Sequence, residues 1–179
     1  MIFTSIKGYF YKLYNICYIL VLSPLAFFLF LYYQTQIEKI LPIVHDPDTL
    51  LIIEWSLFLL ALLGLTTVHL YVRKRLIEVS KNAGLGDKMD RYFPLVLLRT
   101  SLGSFMAFLL NIGFYLTGSV WFAVAFGATM LWIWWQWPTP TRFCNDLAVR
   151  NDERELMLRS KDSFWLLGTQ NLASPTTFD

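Results

Sequence analysis

Charged side chains are scarce in this sequence, at 16% of its 179 residues against roughly 25% in an ordinary soluble domain. With 56% of the residues apolar and 17% aromatic, too little polar surface is available to cover a core in water. The balance points to lipid as the solvent. Cysteine is nearly absent, and Cys17 and Cys144 make no CxxC or Cys/His spacing. That excludes a disulfide framework and a thiolate metal site, and both are expected as free thiols. Histidine is limited to His45 and His69, which fall at opposite faces of the expected membrane, so no metal ligand set and no cofactor is expected. The glycines of Asn82-Ala83-Gly84-Leu85-Gly86-Asp87 have no GK[ST] after them and no strand before them. A phosphate-binding loop is thereby excluded.

What the sequence has is long apolar runs. A helix needs about 20 apolar residues to cross the roughly 30 Å hydrocarbon layer, and residues 14–33, 50–72, 95–116 and 120–137 meet or approach that length. The fold class expected is all-α, a four-helix transmembrane bundle. Lysine and arginine are retained on the cytoplasmic side. Lys7 and Lys12 precede the first span; Arg73, Lys74, Arg75, Lys81, Lys88 and Arg91 lie between the second and third; Arg142, Arg150, Arg154, Arg159 and Lys161 follow the fourth. The first outer loop carries Lys39 beside Glu38, Asp46 and Asp48, and the second is Thr117-Gly118-Ser119. Every loop agrees with both termini inside. Tyr32, Tyr33 and Trp55 at one expected interface, and Trp132, Trp134, Trp135 and Trp137 at the other, agree with an aromatic belt. The first apolar run is too long for a signal peptide and has no small-residue cleavage site, so it is expected to stay as an anchor.

Between the spans the sequence predicts several local features. Phe3, Ile6, Phe10, Leu13 and Cys17 recur at helical spacing, so residues 1–13 are expected as an amphipathic helix at the inner interface. Pro24 should bend the first span. Glu78, expected to pair at i,i+4 with Lys74, and Lys81 continue the second span as a helix projecting into the cytoplasm until Gly84 stops it. Asp87 is expected to cap a short helix through Arg91, with Pro94 in the first turn of the third span. Pro138 and Pro140 end the last span. Residues 138–179 form a cytoplasmic tail, in which Asn151, the acids after it, Arg159 and Lys161 suit a short helix.

Arg99, Gly103, Ala107, Asn111 and Tyr115 are spaced by fours on the third span, and Ser119, Ala123 and Gly127 form a matching small-residue stripe on the fourth. The turn between them is so short that the two helices must be an antiparallel hairpin, brought close by those small residues. Asn111 lies deep enough to need a partner, which a neighbouring hydroxyl or carbonyl would supply. Arg99 falls about a turn and a half inside the cytoplasmic end, where a charge snorkels to the headgroups or faces the bundle; the headgroups are the expected direction. Glu54 is expected as a wetted interfacial carboxylate and His69 as an interfacial or hydrogen-bonded histidine and not a metal ligand. Their separation along one helix, about 22 Å, keeps them off a common ligand.

Residues 88–147 resemble a group of small four-helix inner-membrane proteins of Bacteroidota. The likeness rests on the stretch from Lys88 to Tyr92, on Arg99, on Leu116-Thr117-Gly118, and on Pro138-Thr139 followed by Arg142 and Asp146-Leu147. It implies a bacterial inner-membrane location and no activity. In that group an acidic residue often stands four positions after the arginine, and here Gly103 stands there. No nucleophile with a base, paired carboxylates or metal cluster falls at one depth, so catalysis is not expected. Nor is nucleic-acid binding. The expectation is a non-catalytic accessory or scaffold subunit of a membrane assembly, in contact with other membrane-protein subunits and with anionic lipid headgroups at its basic face. The alternative is a small oligomeric solute or ion carrier using Glu54 or Arg99.

Overall fold

The computed structural model describes residues 6–37, 43, 46–81, 84–149 and 154–155. Among the described residues, helices run in the order α1 (Ile6–Gln36), α2 (Pro47–Ser80), α3 (Leu85–Thr117), α4 (Val120–Trp135) and α5 (Pro140–Asp146), and no strand occurs. Three of them, α1, α2 and α3, are long and apolar enough to cross a membrane. The 16 residues of α4 rise about 24 Å.

Local chemistry sets the ends of these helices. The Asp46 carboxylate accepts from Thr49 N at 3.1 Å and so caps α2, with Pro47 in the first turn. Thr139 does the same for α5, its hydroxyl accepting from Arg142 N at 3.2 Å ahead of Pro140. Both pairs satisfy a backbone donor that the first helical turn leaves free. At the other extreme, Gly118 closes α3 in the left-handed region, at φ 64°, and its N–H reaches Phe114 O at 2.8 Å. Only glycine enters that region without a Cβ penalty. The chain therefore reverses within Gly118 and Ser119, and α4 returns antiparallel along α3.

Helix α3 is the hub, since α1, α2 and α4 all pack against it. Toward the α3–α4 turn the core joins Leu31, Ala61, Met106, Leu110, Phe114, Phe122 and Phe126. At the opposite end a second core joins Tyr9, Leu13, Val72, Val79, Tyr92, Phe143 and Leu147. Segments that the sequence suggests are peripheral thus belong to the interior. Phe10, Leu13 and Cys17 are buried against protein, so the described part of the N-terminal stripe does not lie on lipid, and α1 runs unbroken from Ile6 through the expected boundary at residue 13. Tyr9 adds a hydrogen bond to Met89 O at 2.9 Å, in the turn before Pro94.

Three further expectations give way. Asp87 does not begin a separate short helix: Gly84 is the N-cap, α3 continues through Pro94, and Asp87 pairs with Arg91 at 3.2 Å within the first turns. Glu78 pairs with Arg75 at 2.9 Å and not with Lys74. The prolines after Trp137 end one helix but also start another, because Pro140 at the first turn of α5 needs no N–H partner. Phe143, Cys144 and Leu147 then bury against the second core. Of the expected helix from Asn151 only Arg154 and Glu155 are described, both helical; residues 1–5, and His45 with all of residues 38–45 but Ile43, lie outside the described residues.

Candidate functional site: the polar end of α4 and the groove beside it

A helix of hydrophobic residues ends with free carbonyls and a partial negative charge, and α4 ends at a buried cap residue, Gln136. Two arginines meet it there. Arg99, only 5% exposed, donates from Nη2 to Gln136 O at 2.8 Å. Arg142 donates from Nη1 to Trp135 O. The expectation that Arg99 snorkels to the headgroups is overturned, because a carbonyl one helix away lies within its reach and is itself short of a donor.

Around this pair the structure gathers groups from all five helices. Asp146 on α5 sits 3.8 Å from Arg142. Burial holds its carboxyl above the usual range, and the Arg142 and Arg99 guanidinium groups work against that rise. Cys17 Sγ of α1 lies 3.9 Å from Thr100 Oγ1 of α3. Gln136 Nε2 lies 3.4 Å from His69 Nδ1 of α2, while Gln136 Oε1 and Tyr92 Oη are buried without a hydrogen-bond partner. The sequence marks Arg99 and His69 but not their meeting through Gln136. Glu54, about 22 Å from His69 along α2, belongs to neither. Asp146 pairs with Arg142 and not with Arg99, and Gly103 has another task.

That task is packing. A Cβ at Gly103 would stand 3.1 Å from Ile133 Cγ1 of α4, and one at Gly113 would stand 2.6 Å from Phe122 Cζ. Ala107 and Asn111 are fully buried on the same helix. The matching stripe expected on α4 is not what packs, since a Cβ at Gly127 would meet nothing within 4 Å. Ser119 and Ala123 are half-buried. Instead α4 buries Phe122, Phe126, Thr129 and Ile133, spaced by fours and threes, so large side chains of α4 enter hollows over the glycines of α3. Asn111 points to α1, where its Nδ2 donates to Pro24 O at 2.9 Å. Among the described residues, no three His, Cys, Asp or Glu side chains gather as a metal site.

Helices α2 and α4 touch at two places and part between them. Phe58 and Phe122 meet at 4.8 Å between ring centroids, and His69 meets Trp132 at 6.3 Å. The gap between those contacts is an open groove of about 600 Å³, walled by Ala61, Leu65, Thr66, Val124, Ala125 and Ala128 with Leu110 of α3 as its floor. No protein family, characterised protein or solved structure matches this chain.

Proposed function

We propose that this is a non-catalytic integral membrane protein that serves as an accessory or scaffold subunit of a membrane assembly. In this reading it crosses a bacterial inner membrane four times, with α4 as the fourth crossing and both termini in the cytoplasm. Support for the orientation comes from the lysines and arginines of the loops, and support for the location from the resemblance of residues 88–147 to small inner-membrane proteins. The observation that carries the functional reading is the use made of the deep polar side chains. Arg99 is bound to the Gln136 carbonyl and Asn111 to the Pro24 carbonyl. Groups tied to backbone in this way hold helices together and do not line a route for a solute. An oligomeric carrier would need Arg99 released from α4, and it would keep Glu54 alone among its candidate groups.

Scaffold function also suits the outer surface. Leu62, Leu131, Trp134 and Trp135 are all more than half exposed, which gives lipid-facing helices apolar area for partner helices. Extraction of the tagged protein from its native membrane in a gentle detergent, followed by mass spectrometry, tests the reading. Stoichiometric membrane-protein partners are expected; a lone monomer contradicts it, and a pure homo-oligomer favours the carrier.

A further inference from the structure

We infer that the groove between α2 and α4 is a binding site for one acyl chain of an anionic glycerophospholipid, with its phosphate held at the end marked by His69 and Arg73. This goes beyond the scaffold reading and requires only that the protein sit in a membrane. The length of the groove comes first. From Phe58 to His69 the α2 wall rises about 16 Å, close to half of the roughly 30 Å hydrocarbon layer and hence to the reach of one leaflet's chains. Its volume, about 600 Å³, lies within the range of small-ligand pockets. A helix about 10 Å across would occupy about 1,250 Å³ over the same length, so a partner helix could rest on this groove but not enter it.

The polarity of the groove runs one way. Its walls are apolar from Phe58 inward until Thr66 and His69. One turn beyond His69 on the same face of α2 stands Arg73, which is exposed and, among the described residues, unpaired. The His69 ring faces the edge of Trp132 and touches Gln136, whose Oε1 is buried and still lacks a donor. Cation and imidazole therefore stand at one mouth of a slot whose other polar groups are the Thr66 and Thr129 hydroxyls. That order of groups matches a lipid entering from the side, with its chain along Ala61 and Ala125 and its phosphate against Arg73 and His69. A general attraction of basic loops for an anionic surface needs no slot; the slot adds one bound molecule per chain.

The test is native mass spectrometry of the full chain released from micelles doped with phosphatidylglycerol or phosphatidylcholine. One retained phosphatidylglycerol per chain is expected, in preference to phosphatidylcholine. Arg73→Ala should weaken that retention about fivefold, the share of one basic side chain at an anionic surface. Ala128→Trp should abolish it by filling the groove. Both positions are exposed, so both variants should keep the wild-type melting temperature, and Arg73→Ala carries the test alone if the tryptophan disturbs the fold. Equal retention of the two lipids, or retention unchanged in Arg73→Ala, overturns the proposal. So does photocrosslinking from Thr66 to a protein helix in place of lipid.

Discussion

Alanine at Gly113 and alanine at Gly127 should have opposite effects, although both glycines lie inside helices of the same hairpin. At Gly113 the added methyl would lie 2.6 Å from Phe122 Cζ and 2.8 Å from Cδ1. Phe122 is fully buried and wedged beside Phe58, so the ring cannot swing away without opening α2 or α4. Overpacking of that kind costs about 3 kcal/mol at the upper end of its range, and the better helix propensity of alanine returns about 1 kcal/mol. A net loss of about 2 kcal/mol is expected. Gly127 meets nothing within 4 Å, so only the propensity gain of about 1 kcal/mol remains there. Reversible unfolding in mixed micelles, titrated with a denaturing detergent, would read the separation of about 3 kcal/mol. Phe122→Leu should rescue Gly113→Ala, because removing ring atoms relieves the clash in a non-additive way. Equal shifts in the two glycine variants, or no rescue, would refute the packing of α4 large residues over α3 glycines.

Arg99→Ala should destabilise by about 2 kcal/mol, since it leaves the buried Gln136 carbonyl at the end of α4 unpaired; thermal melting in detergent checks this, and an unchanged melt would mean that Arg99 reaches the headgroups after all. Asn111→Ala should cost about 1 kcal/mol, the usual worth of an interhelical hydrogen bond in a membrane, and the same melts would read it. Burial raises the folded titration point of Asp146 above the unfolded value of about 3.9, so its contribution to stability is full below that value and is lost as pH rises through the raised point. Acidification from neutrality should therefore favour the fold through this residue, and Asp146→Asn should flatten the stability profile across that window.

Hydrophobic length made the helices legible. Residues 14–33, 50–72 and 95–116 fall inside α1, α2 and α3, and the run at 120–137 outlines α4 to within its last turn, because apolar runs of this length leave a helix few alternatives. The joints were less legible. Pro94 and Asp87 carry turn and cap chemistry in isolation, yet packing of α3 against Tyr9 and Phe143 keeps one helix through both. Arg99 could not be oriented from its depth alone, since the deciding fact is that α4 ends at Gln136 beside it. The wedge of Phe122 into the hollow at Gly113 has a visible signal in hindsight: Phe122, Phe126, Thr129 and Ile133 form their own stripe, equally regular and much larger than Ser119, Ala123 and Gly127. His69 and Arg99 stand on different helices, and only the intervening Gln136 amide links them.

The crossing of α4 is the claim on which the scaffold reading, the orientation and the leaflet of the groove all depend. The most direct measurement labels single cysteines with a membrane-impermeant maleimide, in a chain whose Cys17 and Cys144 have been replaced by alanine. Asp48→Cys and Ser119→Cys should label in intact cells, whereas Lys81→Cys and Asn145→Cys should label only after the membrane is opened. Labelling of Asn145→Cys from outside, or of Lys81→Cys and Ser119→Cys from the same side, would contradict the account.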